Sequence, residues 1–371
     1  ILKRAILDGI IIQEQVSYPK FGDLRIFVSF GKIHGIILRV PAKNKNIANI
    51  KIQEIEIMNN NISYSLVIWS YNQEKLIAES IKSAFFQECP PIEILISDDC
   101  SSDSTFEIIK EMAAAYSGPH NVKINRNTEN LGLIGHINKI HELSSGEVII
   151  GAAGDDISRS NRCKKIMEHF EHKKPLLIFS NAEVVDMDGK KENFNYKSAT
   201  LYKTKNIIKI ARSMKLYLGA TGAWHRGLYD KYGQINEGSY EDLVMGFRAA
   251  LEGKVDIIPE KLVIYRMGSG ITNTNNNLSN INQYSKKRLE NFKVIKSTLQ
   301  QRHKDATTFG YSKNSSLLKT IQNELLKVEI RIKYFSGNLH ERRMLFLRHP
   351  ILTSIKFYSE RKKIKKFRSN F

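Results

Sequence analysis

The stretch GEVIIGAAGDDISRSNRC, residues 146–163, decides how this chain is read. Val148, Ile149 and Ile150 form a short apolar run that passes through small residues into two adjacent acids, Asp155 and Asp156. A helical pattern then opens at Ser158 or Ser160. A strand of continuous apolar content is one covered on both faces. The acids therefore stand where a buried strand comes to the surface.

Working outward, the same rhythm recurs. YSLVIWSY (64–71) reads as a buried strand, and QEKLIAESIKSAFFQE (73–88) puts Ile77, Ile81, Ala84 and Phe85 at helical spacing. PIEILISDD (91–99) is the next strand. DSTFEIIKEMAAAY (103–116) is a helix with Phe106, Ile109 and Ala113 on one face. NVKINRN (121–127), GHINKIHELSS (135–145) and EVIIGAAGDD (147–156) continue strand, helix, strand. Apolar strands alternating with amphipathic helices predict an α/β fold, a mainly parallel central sheet flanked by helices.

The pattern then loosens. PLLIFSNAEVVD (175–186) and VDIIPEKLVIYR (255–266) supply later strands, and KNIIKIARSM (205–214) a short helix. SYEDLVMGFRAALEG (239–253) is a clearer helix, where Ser239 with Asp242 suggests a capping arrangement. GSGITNTNNNLSN (268–280) reads as a loop, either a lid or idle. Residues 1–60 read as a small β-rich accessory segment with strands in DLRIFVSF, KIHGIILRV and NIKIQEIEI and a loop at PAKNKNIANI. GDLRIFVSFGKIHGIILR is also similar to a strand pair of ATP-grasp enzymes. Residues 61–280 form the main domain and 281–371 a helical, basic C-terminal extension.

The chain has 371 residues and a formal net charge of +19, which favours phosphate-bearing partners or anionic surfaces. Much of that charge lies after residue 285. Acids cluster at the strand ends and basic residues elsewhere, so a nucleic-acid binder is not expected. No apolar run reaches bilayer-spanning length, and no secretory leader is visible. Three cysteines without metal-ligand spacing fit reduced thiols in a cytoplasmic setting. Phe and Ile interleaved with Lys in HPILTSIKFYSERKKIKKF (349–367) predict peripheral contact with an anionic membrane, at the cytoplasmic face of an inner membrane; the plainer reading is a solvated basic helix.

In open α/β sheets ligands bind beyond the carboxyl ends of the strands. Ser70 and Tyr71 end one strand, Asp98 and Asp99 a second, Asp155 and Asp156 a third. No G-x-G-x-x-G joins the first strand to its helix, and no phosphate loop ending in Lys-Ser/Thr occurs, so dinucleotide oxidoreductases and P-loop hydrolases drop out. An acid-lined crevice accepts a diphosphate only through a hard divalent cation, which can also neutralise a departing diphosphate.

From Ser63 to Thr272 the chain resembles family 2 glycosyltransferases of the GT-A, Rossmann-like fold, mostly bacterial polysaccharide enzymes. The resemblance lies in LVIWSYNQEKLIAESIKSAFFQ, EILISDDCSSDST, NTENLGLIGHINKI, GEVIIGAAGDD, GSYEDLVMGFRAALEG and LVIYRMGSGIT, in that order. It implies that Ser70, Tyr71, Glu74 and Asp98 touch the base or ribose of a nucleotide-sugar donor, with Asp99 supporting that loop or the ribose. It implies that Asp155 and Asp156 hold Mn²⁺ or Mg²⁺ on the donor diphosphate, that Asp242 beside Glu241 is the catalytic base of an inverting hexosyltransferase, and that Asn138 is a polar position of the third helix. The donor expected is a UDP-sugar and the acceptor a saccharide or lipid-linked glycan of cell-surface polysaccharide synthesis, such as lipopolysaccharide or capsule. Two positions depart from the family pattern: Ala153 replaces the first acid of the metal motif, and Ile137 replaces an arginine, with His136 beside it as a phosphate contact or a packing residue. Trp224 and His225 in GATGAWHRG (219–227) either line the acceptor floor or pack in the core, and Arg266, less favourably Arg226, could reach donor phosphates. The rival readings are a sugar-nucleotide nucleotidyltransferase and a non-enzymatic scaffold of the same fold.

Overall fold

Leu66, Val67 and Ile68 are fully buried in the strand Tyr64–Ser70 and make it the axis of the main sheet. The computed structural model describes residues 62–193, 198–268 and 280–368, together with the backbone strands β1 (Lys3–Arg4), β2 (Ile12–Tyr18), β3 (Gly22–Ser29) and β4 (Lys32–Arg39). Those four strands form an antiparallel sheet in sequential order, within a unit that ends at Ile62. The expected strand at NIKIQEIEI, the loop at PAKNKNIANI and residues 269–277 of the expected lid lie outside the described residues.

The second unit, Ser63–Phe371, carries the axial strand as β5. Helix α1 (Ile77–Phe85) leads to β6 (Glu93–Asp98), and α2 (Thr105–Ala114) to β7 (Asn121–Arg126). Helix α3 (Gly132–Leu143) then leads back to β8 (Val148–Ala153) on the other side of β5. All four strands are parallel, in the order β7-β6-β5-β8. The connection reverses direction between β5 and β8, which is where such sheets bind ligands. Register aligns the exits: Ser70 stands level with Asp98, Asp98 with Arg126, and Trp69 with Ala153.

The helices form because their apolar residues recur on one face. In α1 Ile77, Ile81 and Ala84 are essentially fully buried. Each fully buried Ile or Leu contributes about 1.5–3 kcal/mol.

Beyond β8 the sheet is mixed. After β9 (Ile157–Ser158) and α4 (Arg162–Lys173), β10 (Leu177–Val185) and β12 (Val255–Arg266) pair in parallel. Strand β11 (Gly222–His225) sits between β8 and β10, antiparallel to both. Short β9 pairs with Val263 and Ile264 of β12, which draws the segment after Asp155–Asp156 against the end of β12. Helices α5 (Ile207–Arg212) and α6 (Gly227–Tyr232) flank this half. Helix α7 (Glu241–Leu251) buries nine of its eleven residues.

The expected cap from Ser239 to Asp242 is not formed. Tyr240 is the N-cap without a side-chain bond, and Ser239 Oγ donates instead to Asn236 C=O. That leaves the acids of the first turn, Glu241 and Asp242, outside any capping box.

The chain after Asn280 is helical: α8 (Ile281–Phe309), α9 (Ser316–Ser336), α10 (Leu339–Arg348) and α11 (Pro350–Arg368). Helix α8 packs on α7 and α9, and α9 on α5. These helices thus belong to the same core as the sheet, which runs through Leu243, Phe247, Leu299, Leu317 and Ile321.

Candidate active site

The turns that leave β5 and β6 clasp each other. Asn72 and Cys100 both adopt left-handed backbone, φ 51° and 61°, which is uncommon for residues other than glycine. Asn72 N–H donates to Ser101 Oγ at 2.8 Å, and Asn72 Oδ1 accepts from Ser102 N–H at 2.9 Å. Gln73 N–H donates to Thr105 Oγ1 at 2.8 Å, Glu74 N–H to Asp103 at 3.1 Å, and Ser104 N–H to the Glu74 carboxylate at 3.1 Å. Asp98, with no exposed surface, accepts from Ser101 N–H at 2.9 Å, and Arg126 stands 3.7 Å away. Five reciprocal contacts of this kind hold two strained turns in one shape.

Glu74 and Asp98 are absorbed by the clasp and neither lines the cleft, whereas Ser70, Tyr71, Gln73 and Asp99 do. Asp99 is fixed by Asn127 Nδ2 at 2.8 Å and Leu131 N–H at 3.0 Å.

The second exit carries Asp155 and Asp156, 5% and 4% exposed. Asp156 Oδ1 accepts from the backbone N–H of Arg266 at 2.9 Å, and Arg266 Nη1 donates to Asp155 C=O at 2.8 Å. The Arg266 guanidinium also pairs with Glu79 of α1. Beneath the acids lies Arg162, fully buried, whose Nη2 bonds Gly151 C=O at 2.7 Å and Ala220 C=O at 3.1 Å, and whose Nη1 bonds Ser158 Oγ at 2.9 Å. Burial, then the neighbouring Asp155, pushes Asp156 well above the usual carboxylate range, and the Arg266 amide and the Arg162 and Arg266 charges oppose that. Burial brings Arg162 down to about 10, with Asp156 opposing. Gly154 follows from packing: a Cβ there would stand 2.2 Å from Gln73 Oε1 and 2.9 Å from Ser70 Cβ.

The third element is the first turn of α7. Burial and the adjacent Glu241 raise Asp242 to about 8, while the Leu243 amide and Arg302 pull it down. Glu241 is also raised by burial. Arg302 reaches this turn from α8, fully buried, and holds Leu243 C=O at 3.0 Å, Ala211 C=O at 3.0 Å and Ser213 C=O at 2.7 Å. The 3-10 turn Gly219–Thr221 runs beside the acids, and a Cβ on Gly219 would lie 2.4 Å from Glu241 Oε1. Tyr217 stacks on Phe179 with ring centres 5.1 Å apart, and its buried hydroxyl has no protein partner.

These elements enclose one cleft of about 510 Å³, lined by Ser70, Tyr71 and Asp99 at one end, Asp155 and Asp156 along one wall, and Glu241 and Asp242 along another. Tyr217, Tyr240 and Tyr265 supply apolar faces and His136 a neutral imidazole. Burial lowers His136 to about 4, and its Nε2 meets Ser97 Oγ at 2.7 Å. Asp155 and Asp156 are the adjacent cleft carboxylates that could hold a cation. Among the described residues no group of three or more His, Cys, Asp or Glu gathers to hold a metal.

Four expected contacts lie elsewhere. Asn138 clamps Ile235, donating to its carbonyl at 2.9 Å and accepting from its amide at 3.0 Å. Trp224, 1% exposed, packs in the hydrophobic core and is not among the residues lining the cleft. His225 Nδ1 accepts from Gly227 N–H at 3.0 Å, outside the cleft lining. Arg226 is spent on the carbonyls of His141 and Gly146 near the start of β8, at 2.7 and 3.1 Å. Arg162 and Arg302 were missed although each left a trace. Arg162 puts a cation in the first turn of a helix, against the dipole. Arg302 occupies an inward position between the core residues Leu299 and Ala306.

Residues 65–233 match glycosyl transferase family 2. Among curated proteins, EpsE of Bacillus subtilis is 33% identical over 114 residues, 31% of this chain and 40% of that protein. The succinoglycan biosynthesis protein ExoO of Rhizobium meliloti is 29% identical over 34% of this chain and 35% of its own length. An uncharacterized glycosyltransferase of Nostoc sp. is 22% identical over 80% and 89%. The chain spans 40–58% of the length of the first four curated relatives it matches. The crystal structure of S. aureus TarS 1–349 in complex with UDP shares the fold, with TM-score 0.52 and 16% identity over 84% of this chain and 92% of that one. Residues 65–233 therefore carry the family 2 glycosyl transferase pattern on a GT-A-like fold, with similarity to proteins of bacterial polysaccharide biosynthesis.

Proposed function

We propose that the cleft transfers a glycosyl group from a nucleotide-sugar donor to a saccharide or lipid-linked acceptor, with inversion at the anomeric carbon. One observation carries this reading: two separate acid pairs, Asp155–Asp156, both buried, and Glu241–Asp242, buried and partly buried, face a single cleft that also reaches Ser70, Tyr71 and Asp99. The β5 and β6 exits suit the nucleoside. Asp155 and Asp156 would hold Mn²⁺ or Mg²⁺, because adjacent carboxylates are hard oxygen donors. The ion would supply positive charge opposite the leaving diphosphate. With only two protein carboxylates and Ala153 in the first motif position, donor oxygens and water would complete its shell.

The bond from the anomeric carbon to the diphosphate oxygen breaks while the acceptor oxygen bonds that carbon. Asp242 takes the acceptor's proton, and the nucleoside diphosphate leaves with the bonding electrons. A base raised to about 8 holds a proton well once transferred. Arg302 keeps it from rising further and anchors α7 through the Leu243 carbonyl. No second carboxylate is needed as a nucleophile. Tyr217, Tyr240 and Tyr265 offer faces to sugar rings.

The test is a donor panel, UDP-sugars first, with and without Mn²⁺ or Mg²⁺, following nucleoside diphosphate release. Metal-dependent release from one donor, stimulated by a glycan acceptor, supports the reading. Release from no donor, or release unaffected by chelation, removes it.

A further inference from the structure

Helix α11 is inside out. Its inward face carries Thr353 and Glu360, both without exposed surface. Its outward face carries Ile351, Ile355 and Tyr358, exposed at 77%, 54% and 71%, and Leu347 of α10 extends the row at 76%. Ile351, Ile355, Tyr358, Lys362 and Lys365 fall at i, i+4, i+7, i+11 and i+14, one stripe that begins apolar and ends basic. Surface apolar residues scattered singly need no explanation, but a contiguous row on a helix marks an interaction site.

The row is held rigidly. Glu360 accepts from Arg288 at 2.6 Å, and Arg331 and Lys363 stand 3.3 and 3.4 Å away, so one buried carboxylate binds α11 to α8 and α9. Phe357 packs edge-on to Tyr334 of α9 and Phe346 of α10. The orientation is set by these inward contacts, which turn the apolar row to solvent.

Charge selects the occupant. Residues 339–368 contain ten Lys and Arg but two acids. Both acids are engaged inward: Glu360 as described, and Glu341 in the capping box of Asn338 and with Lys333. A second copy docked on the same stripe would set these cations against each other. An anionic lipid surface would take the apolar row into its headgroup boundary and neutralise the basic end. Among the described residues no helix is long and apolar enough to cross a membrane. We propose that the outward stripe of α10–α11, from Leu347 to Lys365, seats the protein on an anionic membrane surface, with the helix axes lying in the interface.

The test is co-sedimentation of the full chain with vesicles of phosphatidylcholine alone and of phosphatidylcholine with 30% phosphatidylglycerol. The expected result is at least tenfold tighter binding to the anionic vesicles, weakened by salt. Ile351→Asp with Ile355→Asp should lower that binding at least tenfold, with an unchanged thermal midpoint and unchanged nucleoside diphosphate release in solution. Lys362→Glu with Lys365→Glu should remove the preference for anionic vesicles. Equal binding to both vesicle types, no binding to either, or full binding by the Ile351/Ile355 variant overturns the proposal. So does a dimer in sedimentation velocity that the same variant dissociates, which would make the stripe a self-association surface. Binding is measured without donor, so failure here leaves the transferase reading intact, and an inactive protein that binds vesicles leaves this one intact.

Discussion

The cleft contains two acid pairs built on one plan and set in different surroundings. Asp155–Asp156 and Glu241–Asp242 are each adjacent, all but the partly buried Asp242 are buried, and each pair is backed by a fully buried arginine that bonds protein oxygens rather than a carboxylate. The first pair leaves a strand, and the end of β12 grips it through the Arg266 amide and guanidinium. The second opens a helix, and its own first-turn amides and the Arg302 charge support its ionised form. On the proposed reading, pair one would present its oxygens to a cation. Pair two would supply the base, with Asp242 raised to about 8. In both pairs burial and the adjacent acid push one carboxyl up; what differs is the surrounding donors, the Arg266 amide with the Arg162 and Arg266 charges at Asp156, and first-turn amides with Arg302 at Asp242.

The hardest strain on this contrast is Asp242→Asn. Transfer should fall by about 10²–10⁴-fold, the range for a lost general base, while donor binding by calorimetry stays near that of the parent. Equal loss of donor binding would mean that the second pair also serves the donor. The parent's rate should climb as pH rises through about 8, where Asp242 loses its proton. Stability runs the other way. A carboxyl raised above its unfolded value stabilises the fold fully only below the unfolded value, and that contribution is lost as pH rises through about 8. The thermal midpoint of Asp242→Asn should therefore decline less between pH 6 and pH 9 than the parent's.

Asp156→Asn probes the other pair. It should cost about 10²–10³-fold in nucleoside diphosphate release, comparable to losing one electrostatic stabiliser of the transition state. It should also raise the Mn²⁺ concentration required for half-maximal rate. A variant whose metal dependence matches the parent's would break the division of labour.

Smaller effects sharpen it. Gly219→Ala places a methyl 2.4 Å from Glu241 Oε1, so the acid must shift. A rate loss of about tenfold with little change in donor affinity is expected, since small displacements of reacting groups are costly. Arg302→Lys keeps a charge but loses the fork that spans three carbonyls. The rate profile should move to higher pH, because the charge is no longer held in the same place to restrain Asp242, and stability should drop by about 1–3 kcal/mol as carbonyls lose partners. A lower thermal midpoint with an unmoved profile would make Arg302 structural only.

Much of the cleft was legible because its signals are local. An apolar run buried on both faces must surface somewhere, and polar residues at its end mark the exit: Ser70–Tyr71, Asp98–Asp99 and Asp155–Asp156 all follow such runs. Periodicity located α1, α2, α3 and α7 for the same reason. Division of labour among polar neighbours was not legible. Asp98 and Asp99 are adjacent in sequence, yet one is consumed by the Ser101 turn and the other reaches the cleft. Glu74 and Gln73 divide likewise. Trp224 read equally well as a sugar platform or as core, and only its burial in the folded core decides between them.

What the residue order determined by itself is the parallel half of the sheet, the placement of its exits and the chemical character of the groups there, because burial and backbone periodicity act over a few residues. What only the tertiary structure decided is which acids share a cleft, which buried arginines stand behind them, and which face of α11 is outward. Arg302 lies sixty residues from Asp242 and Arg266 one hundred and ten from Asp156. The charge state of a carboxylate depends on what surrounds it within a few ångströms, and packing supplies those surroundings from anywhere in the chain.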